Sequence, residues 1–428
     1  MEKLLIDGGY PLAGKVRVHG AKNAALPIMA ASLLIDGPVV IRNVPDLLDI
    51  RTMLSILREL GCRTEMEKDA VTVNAGSLKS FEIPETLMSR MRSSIFLMGP
   101  LLAKFGEVHV YPPGGCAIGE RKIDLHLQGL RALGAEIEQK GGKIVCRAKK
   151  LVGADIALDY PSVGATENIM MAAVLAEGRT TIVGAAREPE IQDLQNFLNA
   201  MGARVVGAGT DTITVDGLKR LNPGAGAVYA VIPDRIVAGT LMIAAAATRG
   251  DIELEGVTPG HLTSVVHALR LAGVQVEIEN DRMQVRCPSR PIAVERIVTA
   301  PHPGFPTDLQ AQMMALLASA DGVSIIKETV FNGRFRHVHE LCRMGADIRV
   351  DGSSAFIRGV PRLHGATVEA TDLRAGAALV IAGLAADGRT SVEQIHHIDR
   401  GYDRIERVLA GLGAKIQRYV QAAESLNV

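Results

Sequence analysis

Two kinds of helical stretch alternate along the chain with short runs of period-two apolar residues. One kind is apolar on every side, as in AALPIMAASLL (24–34), GTLMIAAAAT (239–248) and AGAALVIAGLAA (375–386). A helix without a polar face is buried. The other kind carries charges on one face, as at 47–60 with Arg58 and Glu59. Such a helix covers a sheet from outside. In the first stretch of chain the pattern predicts a helix over 24–34 and a strand over 39–43. A helix over 47–60 and strands over 63–67 and 70–74 follow.

This order repeats six times. A helix-ending phrase recurs at LRELGC, LRALGA, LNAMGA, LRLAGV, LCRMGA and LAGLGA, with its glycines at Gly61, Gly134, Gly202, Gly273, Gly345 and Gly413. Each follows an amphipathic stretch and precedes a β-type run, so each reads as a helix C′ glycine in left-handed geometry. A second series, Gly37, Gly106, Gly178, Gly250, Gly322 and Gly388, precedes the first strand of each unit. In both series the spacing is 66 to 73 residues. Two glycine series sharing one period mark a repeat architecture. Every unit reads helix, strand, helix, strand, strand, which is α/β.

Six units divide into two domains of three, and the stretch 221–236, with Pro223, Gly224, Gly226 and Pro233, is the hinge candidate. The sixth unit ends one strand short near Val420. The runs Lys3–Asp7 and Lys15–His19 can supply what is missing. The expected domains are therefore 22–230 and 1–21 plus 231–428. The chain crosses between them near residues 21 and 231, about which closure is expected.

The starts of the buried helices carry the chemistry. They hold Lys22-Asn23, Arg90 and Arg92, Ser162 to Thr166, Asp234-Arg235, Thr307-Asp308, and Thr371-Asp372 with Arg374. Capping accounts for Ser162, Thr307 and Asp308. It does not account for Lys22, Arg92, Arg235 and Arg374, since a cation is disfavoured where the helix dipole is positive. An anion bound among them does. Strand-to-helix loops add PPGGCAIGER (112–121), FNGRFRHV (331–338, with Arg334 and Arg336) and HHIDRGYDR (396–404, with Asp399 and Arg400). Cys116 follows two glycines, with Arg121 and Lys122 nearby, a setting that lowers a thiol pKa. Cys146 and Cys287 fall in strand runs and Cys342 in a helix, where thiols are inert.

Composition narrows the classes. Lys+Arg and Asp+Glu are each 47, so the formal net charge is zero, against a basic nucleic-acid or anionic-membrane surface. There is no Trp, with 6 Tyr and 8 Phe, which disfavours a base-stacking platform. The longest apolar stretches, 236–247 and 375–386, are 12 residues each, short of a membrane span. The N-terminus shows no signal-peptide apolar region. Five widely spaced cysteines without CxxC fit a reducing cytoplasm rather than a disulfide framework. His337/His339 and His396-His397 lack metal-ligand spacing, and the Gly-rich loop lacks the Lys-Ser/Thr of a phosphate-binding P-loop.

VHGAKNAALP (18–27), GGCAIGER (114–121), PSVGATEN (161–168), TAPHPGFPTDLQAQ (299–312), TDLRAGAAL (371–379) and HIDRGYDRI (397–405) closely resemble the UDP-N-acetylglucosamine 1-carboxyvinyltransferases. These are the enolpyruvyl transferases that open peptidoglycan synthesis, and the resemblance runs the length of the chain. It implies two inverse α/β, barrel-like domains of three units each, with the active site in the cleft between them. It also implies transfer of the enolpyruvyl group of phosphoenolpyruvate to the 3′-hydroxyl of UDP-N-acetylglucosamine by addition and elimination, with release of phosphate. No cofactor, metal or nucleic acid is implied.

Carried over by motif, Lys22 and Arg400 hold phosphoenolpyruvate, assisted by Arg121 and Arg374, with Asn23 beside both substrates. Arg92, Arg121, Lys122, Ile123, Asp124, Leu125, Tyr160, Pro161, Ser162, Val163, Val330 and Arg334 line the UDP-sugar. Asp308 acts on the 3′-hydroxyl as base or orienting group. Cys116 donates the proton to C3, and fosfomycin, an epoxide mimic of phosphoenolpyruvate, is expected to alkylate it. The sequence departs from the pattern at Lys122, where many members have proline, and at Tyr160-Pro161, where some have lysine. The shikimate-pathway transferases share the chemistry but have a Gly-Ser-Lys phrase where this chain has Gly20-Ala21-Lys22, and no role for Cys116. The RNA terminal phosphate cyclases, built on related repeats, call for a nucleotide-accepting His and a more basic surface. A non-catalytic scaffold leaves the equivalent placement of Cys, Asp and Arg unexplained.

Overall fold

The computed structural model describes residues 2–114, 123–223 and 226–420. Its first repeat follows the apolar pattern closely. A helix at Lys22–Ala31 runs on into a 3-10 turn at Ser32–Leu34, and a strand at Pro38–Arg42 follows. A helix at Leu48–Glu59 and strands at Arg63–Glu67 and Ala70–Asn74 complete it. The C′ glycines Gly61, Gly134, Gly202, Gly273, Gly345 and Gly413 all have positive φ, from 83° to 102°. Gly250 of the second series is required for another reason. A Cβ there would be driven into the Leu12 carbonyl.

The described residues fall into two compact units, one of 19–114 with 123–232 and one of 2–18 with 233–420. In the first unit three sheets surround a core that includes the buried helices Lys22–Ala31, Met98–Phe105 and Val163–Ala173. In the second, the buried helices Arg235–Ala247, Gln310–Leu317 and Leu373–Ala385 pack on one another inside three further sheets. Every residue of Gln310–Leu317 is buried. The amphipathic helices bury one side only, as Leu48–Glu59 does through Ile50, Met53, Leu54 and Leu57. Among the described residues no helix is long and apolar enough to cross a membrane.

Most sheets have four strands rather than the three per unit that the pattern predicts. The fourth is a three- to five-residue strand that runs parallel to the first strand of a repeat, in three sheets that of the repeat next in the chain. Examples are Arg296–Val298 on Val323–Lys327 and Ala13–Arg17 on Asp251–Glu255. The sixth sheet is completed by Glu2–Asp7, which lies antiparallel between Arg389–Glu393 and Lys415–Val420. The second repeat's sheet has three strands and, at its edge, only a bridge between Glu82 and His109.

Candidate functional site

The helix starts separate into two chemistries. Ser162 caps its helix, accepting from Ala165 N at 3.3 Å. Asp234 and Asp372 cap theirs, each accepting from two backbone N–H groups at 2.8 and 3.0 Å. Thr307 and Asp308 do not cap, contrary to expectation. They open a 3-10 turn, Thr307–Leu309, that precedes the helix, and their side chains turn to other partners. Arg92 likewise opens a 3-10 turn, Arg92–Leu97, and the helix proper begins at Met98. Pro100 lies in that helix's first turn, where its missing N–H costs nothing.

In the second unit Asp308 lies between two buried guanidinium groups. Arg334 Nη1 donates to Asp308 Oδ1 at 2.9 Å and Arg374 Nη2 to Oδ2 at 3.1 Å. The arginine side chains are 5% and 3% exposed, against 26% for the aspartate. Arg374 Nη1 donates to the hydroxyl of buried Tyr402 at 3.1 Å. That hydroxyl lies 3.0 Å from Thr240 Oγ1 and accepts from Gln312 Nε2 at 3.2 Å. Since Thr240 already donates to the Ile236 carbonyl, the Tyr402 proton points to Thr240 and its lone pairs to Arg374 and Gln312. Burial opposes the charge on Arg374, but the oxygens of Tyr402, Asp308 and Asp234 outweigh it and raise the pKa. Arg334 Nη2 and Arg374 Nε are buried with no hydrogen-bond partner among the described residues.

A second buried carboxylate, Glu328, fixes the neighbouring loops. Its Oε1 accepts from Thr299 Oγ1 (2.8 Å), Val330 N (2.8 Å) and Phe331 N (3.0 Å). Its Oε2 accepts from Thr307 Oγ1 at 2.9 Å, and Thr307 Oγ1 in turn accepts from Arg334 Nη1 at 2.8 Å. Half-buried Val330 and buried Arg334 are thereby placed by one side chain. Arg400 ends a 3-10 turn, Ile395–Arg400, and is half-buried. Arg336 is exposed, and Asp399 pairs with Arg418 at 2.6 and 2.9 Å.

In the first unit Lys22 begins its helix buried, and its Nζ donates to Asp49 Oδ2 at 3.1 Å, with side chains 8% and 4% exposed. The neighbouring Asn23 is half-buried. The 92–97 turn packs against this helix. Ile123, Asp124 and Leu125 lead into His126, which the sequence did not single out, and half-buried Pro161, Ser162 and Val163 lead into Gly164 beside its ring. A Cβ on Gly164 would lie 3.0 Å from the imidazole. Arg92 and Asp124 both act on its charge, and Tyr160 is largely exposed. Burial lowers the pKa of Arg92.

His126 Nδ1 lies 2.9 Å from Asn168 Nδ2, whose amide is oriented because Gly99 N donates to Asn168 Oδ1 at 2.8 Å. Nδ1 is thus an acceptor and the ring neutral. Burial, then the charge of Arg92, push its pKa down to about 4. Folded His126 therefore binds fewer protons than its unfolded form. Its contribution to stability is present above about pH 6.5 and is lost as pH falls toward about 4. We expect His126→Gln to remove about 2–3 kcal/mol of that acid loss. Denaturant unfolding of both proteins from pH 4 to 7 measures it. Parallel stability curves would overturn the assignment.

Cys116, Arg121 and Lys122 lie outside the described residues. Burial pushes the thiols of Cys62 and Cys146 up to about 11 and about 12, and raises that of Cys287, while Cys342 is exposed.

A family model described as EPSP synthase (3-phosphoshikimate 1-carboxyvinyltransferase) matches residues 6–409. The chain belongs to this enolpyruvyl transferase family. Within it, UDP-N-acetylglucosamine 1-carboxyvinyltransferase 2 of Carboxydothermus hydrogenoformans is 54% identical over 98% of this chain and 99% of its own. The enzyme of the same name from Caldanaerobacter subterraneus is 52% identical over 98% and 100%. Among solved structures, the enolpyruvyl transferase NikO from Streptomyces tendae superposes with a TM-score of 0.87 at 26% identity, covering 98% and 99% of the two chains. An EPSP synthase from Acinetobacter baumannii shares the fold, with a TM-score of 0.77 at 20% identity. The enolpyruvyl transferase fold thus accounts for the six-unit architecture.

Proposed function

We propose that this chain transfers the enolpyruvyl group of phosphoenolpyruvate to the 3′-hydroxyl of UDP-N-acetylglucosamine, with release of phosphate. This is the first committed step of peptidoglycan synthesis, carried out in the cytoplasm. The full-length relatives at 52–54% identity bear that name. The observation that carries the reading is the Asp308 carboxylate held between Arg334 and Arg374. A sugar hydroxyl is a weak nucleophile, and a fixed carboxylate aims it and draws on its proton.

In the proposed sequence the 3′-oxygen bonds to C2 of phosphoenolpyruvate while Cys116 gives a proton to C3. The adduct then loses phosphate and a C3 proton to restore the double bond. Lys22, Arg121, Arg374 and Arg400, with Asn23, take the phosphate and carboxylate. The resting charge of phosphoenolpyruvate is about three negative, which several desolvated cations match. Arg92, Lys122, 123–125, 160–163, Val330 and Arg334 take the UDP-sugar. Phosphate release from phosphoenolpyruvate should require UDP-N-acetylglucosamine. Release that ignores the sugar, or that 3-phosphoshikimate supports equally, would overturn the reading.

A further inference from the structure

Glu328 lies outside every motif of the resemblance, yet its hydrogen bonds lead into the pair around Asp308. Oε1 is faced by three donors, two of them backbone N–H groups. Oε2 faces one hydroxyl, that of Thr307. The hydroxyl's other neighbour, Arg334 Nη1, has only protons to offer. Every proton in this chain finds an acceptor only when Glu328 is a carboxylate and Thr307 donates to it. The lone pair of Thr307 then faces Arg334. Nη1 carries two hydrogens, and it places one on Thr307 and the other on Asp308 Oδ1 at 2.9 Å. Glu328 is 2% exposed, so water does not substitute for it.

We infer that Glu328 is a positioning residue for the transfer, acting through the direction of the Thr307 hydroxyl to hold Arg334 on Asp308. It rests on the function proposed above. Arg334 Nη2, buried and without a partner among the described residues, is the donor that this arrangement leaves for the UDP-sugar. A buried donor left unmet is costly, so its alignment matters once a ligand supplies the acceptor.

Glu328→Gln separates direction from shape. Three donors fix the amide oxygen at the Oε1 position, so the amide NH2 faces Thr307. That hydroxyl then receives two donors, its own proton loses its acceptor, and Arg334 is released. We expect kcat to fall about tenfold or more, the size of one hydrogen bond to a charged group. The KM for phosphoenolpyruvate should stay within about twofold. Thr307→Val should cost as much, Thr307→Ser little, and Glu328→Gln should add little to Thr307→Val.

A crystal structure of Glu328→Gln should show Arg334 Nη1 out of hydrogen-bond reach of Thr307, and this readout does not depend on activity. Equal losses in both backgrounds overturn the inference. So does a Thr307→Ser as damaged as Thr307→Val, or an Arg334 that has not moved. If Glu328→Gln does not fold, the Ser–Val comparison at Thr307 still decides. A parent protein with no sugar-dependent phosphate release overturns the proposed function instead, and the crystal structure then decides this inference alone.

Discussion

Asp308→Asn should abolish nearly all turnover, lowering kcat by about a thousandfold or more. Two losses combine. The amide cannot take the hydroxyl proton, and general-base assistance is worth about 10²–10⁴. It also cannot satisfy both arginines. One of its atoms carries protons, and that atom faces either Arg334 or Arg374, a donor against a donor. Removing the anion from between two buried cations is among the larger single-site penalties, so the melting temperature should fall by several degrees as well. Because UDP-sugar binding uses many groups, its affinity should change far less than kcat. Turnover by phosphate release and binding by calorimetry test both halves. A kcat within tenfold of the parent would show that Asp308 neither accepts the proton nor aims the hydroxyl.

That arrangement was partly legible in the sequence, and the reasons differ residue by residue. The apolar helices and the two glycine series revealed the repeat because each rests on local rules, burial of an apolar face and left-handed geometry at a helix end. Lys22 and Arg374 stood out because a cation at a buried helix start opposes the dipole, Asp308 as a capping candidate at another helix start, and Arg334 in a polar strand-to-helix loop. Part of that opposition is answered within the chain, by Asp49 for Lys22 and by Asp308 for Arg374. The fourth strands, three residues long in most sheets, are too short to show a period. Glu328, Tyr402 and His126 left no local signal. Glu328 joins loops 21 and 29 residues away, and Tyr402 reaches partners 28, 90 and 162 residues away. Asp399 stood out in the same phrase as Arg400 but belongs to Arg418, a pairing no spacing rule anticipates.

Lys22→Met should be the most damaging change toward phosphoenolpyruvate, lowering kcat/KM for that substrate by about a thousandfold, or about 4 kcal/mol. The lysine is nearly buried at a helix start, where it adds its charge to the free N–H groups and the positive dipole end. Such a place suits a strongly anionic group, and desolvation strengthens each contact beyond its worth in water. Lys22→Arg should recover little, because the ammonium is a compact charge set against Asp49 and the longer planar fork of arginine does not fit the same space. Stability and activity should also come apart. Lys22→Met takes the lysine from buried Asp49 and should lower the melting temperature. Adding Asp49→Leu should restore it, since a buried pair is often replaceable by apolar residues. The restored protein should remain inactive. If it recovered turnover along with stability, Lys22 would be a structural partner of Asp49 rather than a ligand of phosphoenolpyruvate. The anion-binding account of the helix start would then fall with it.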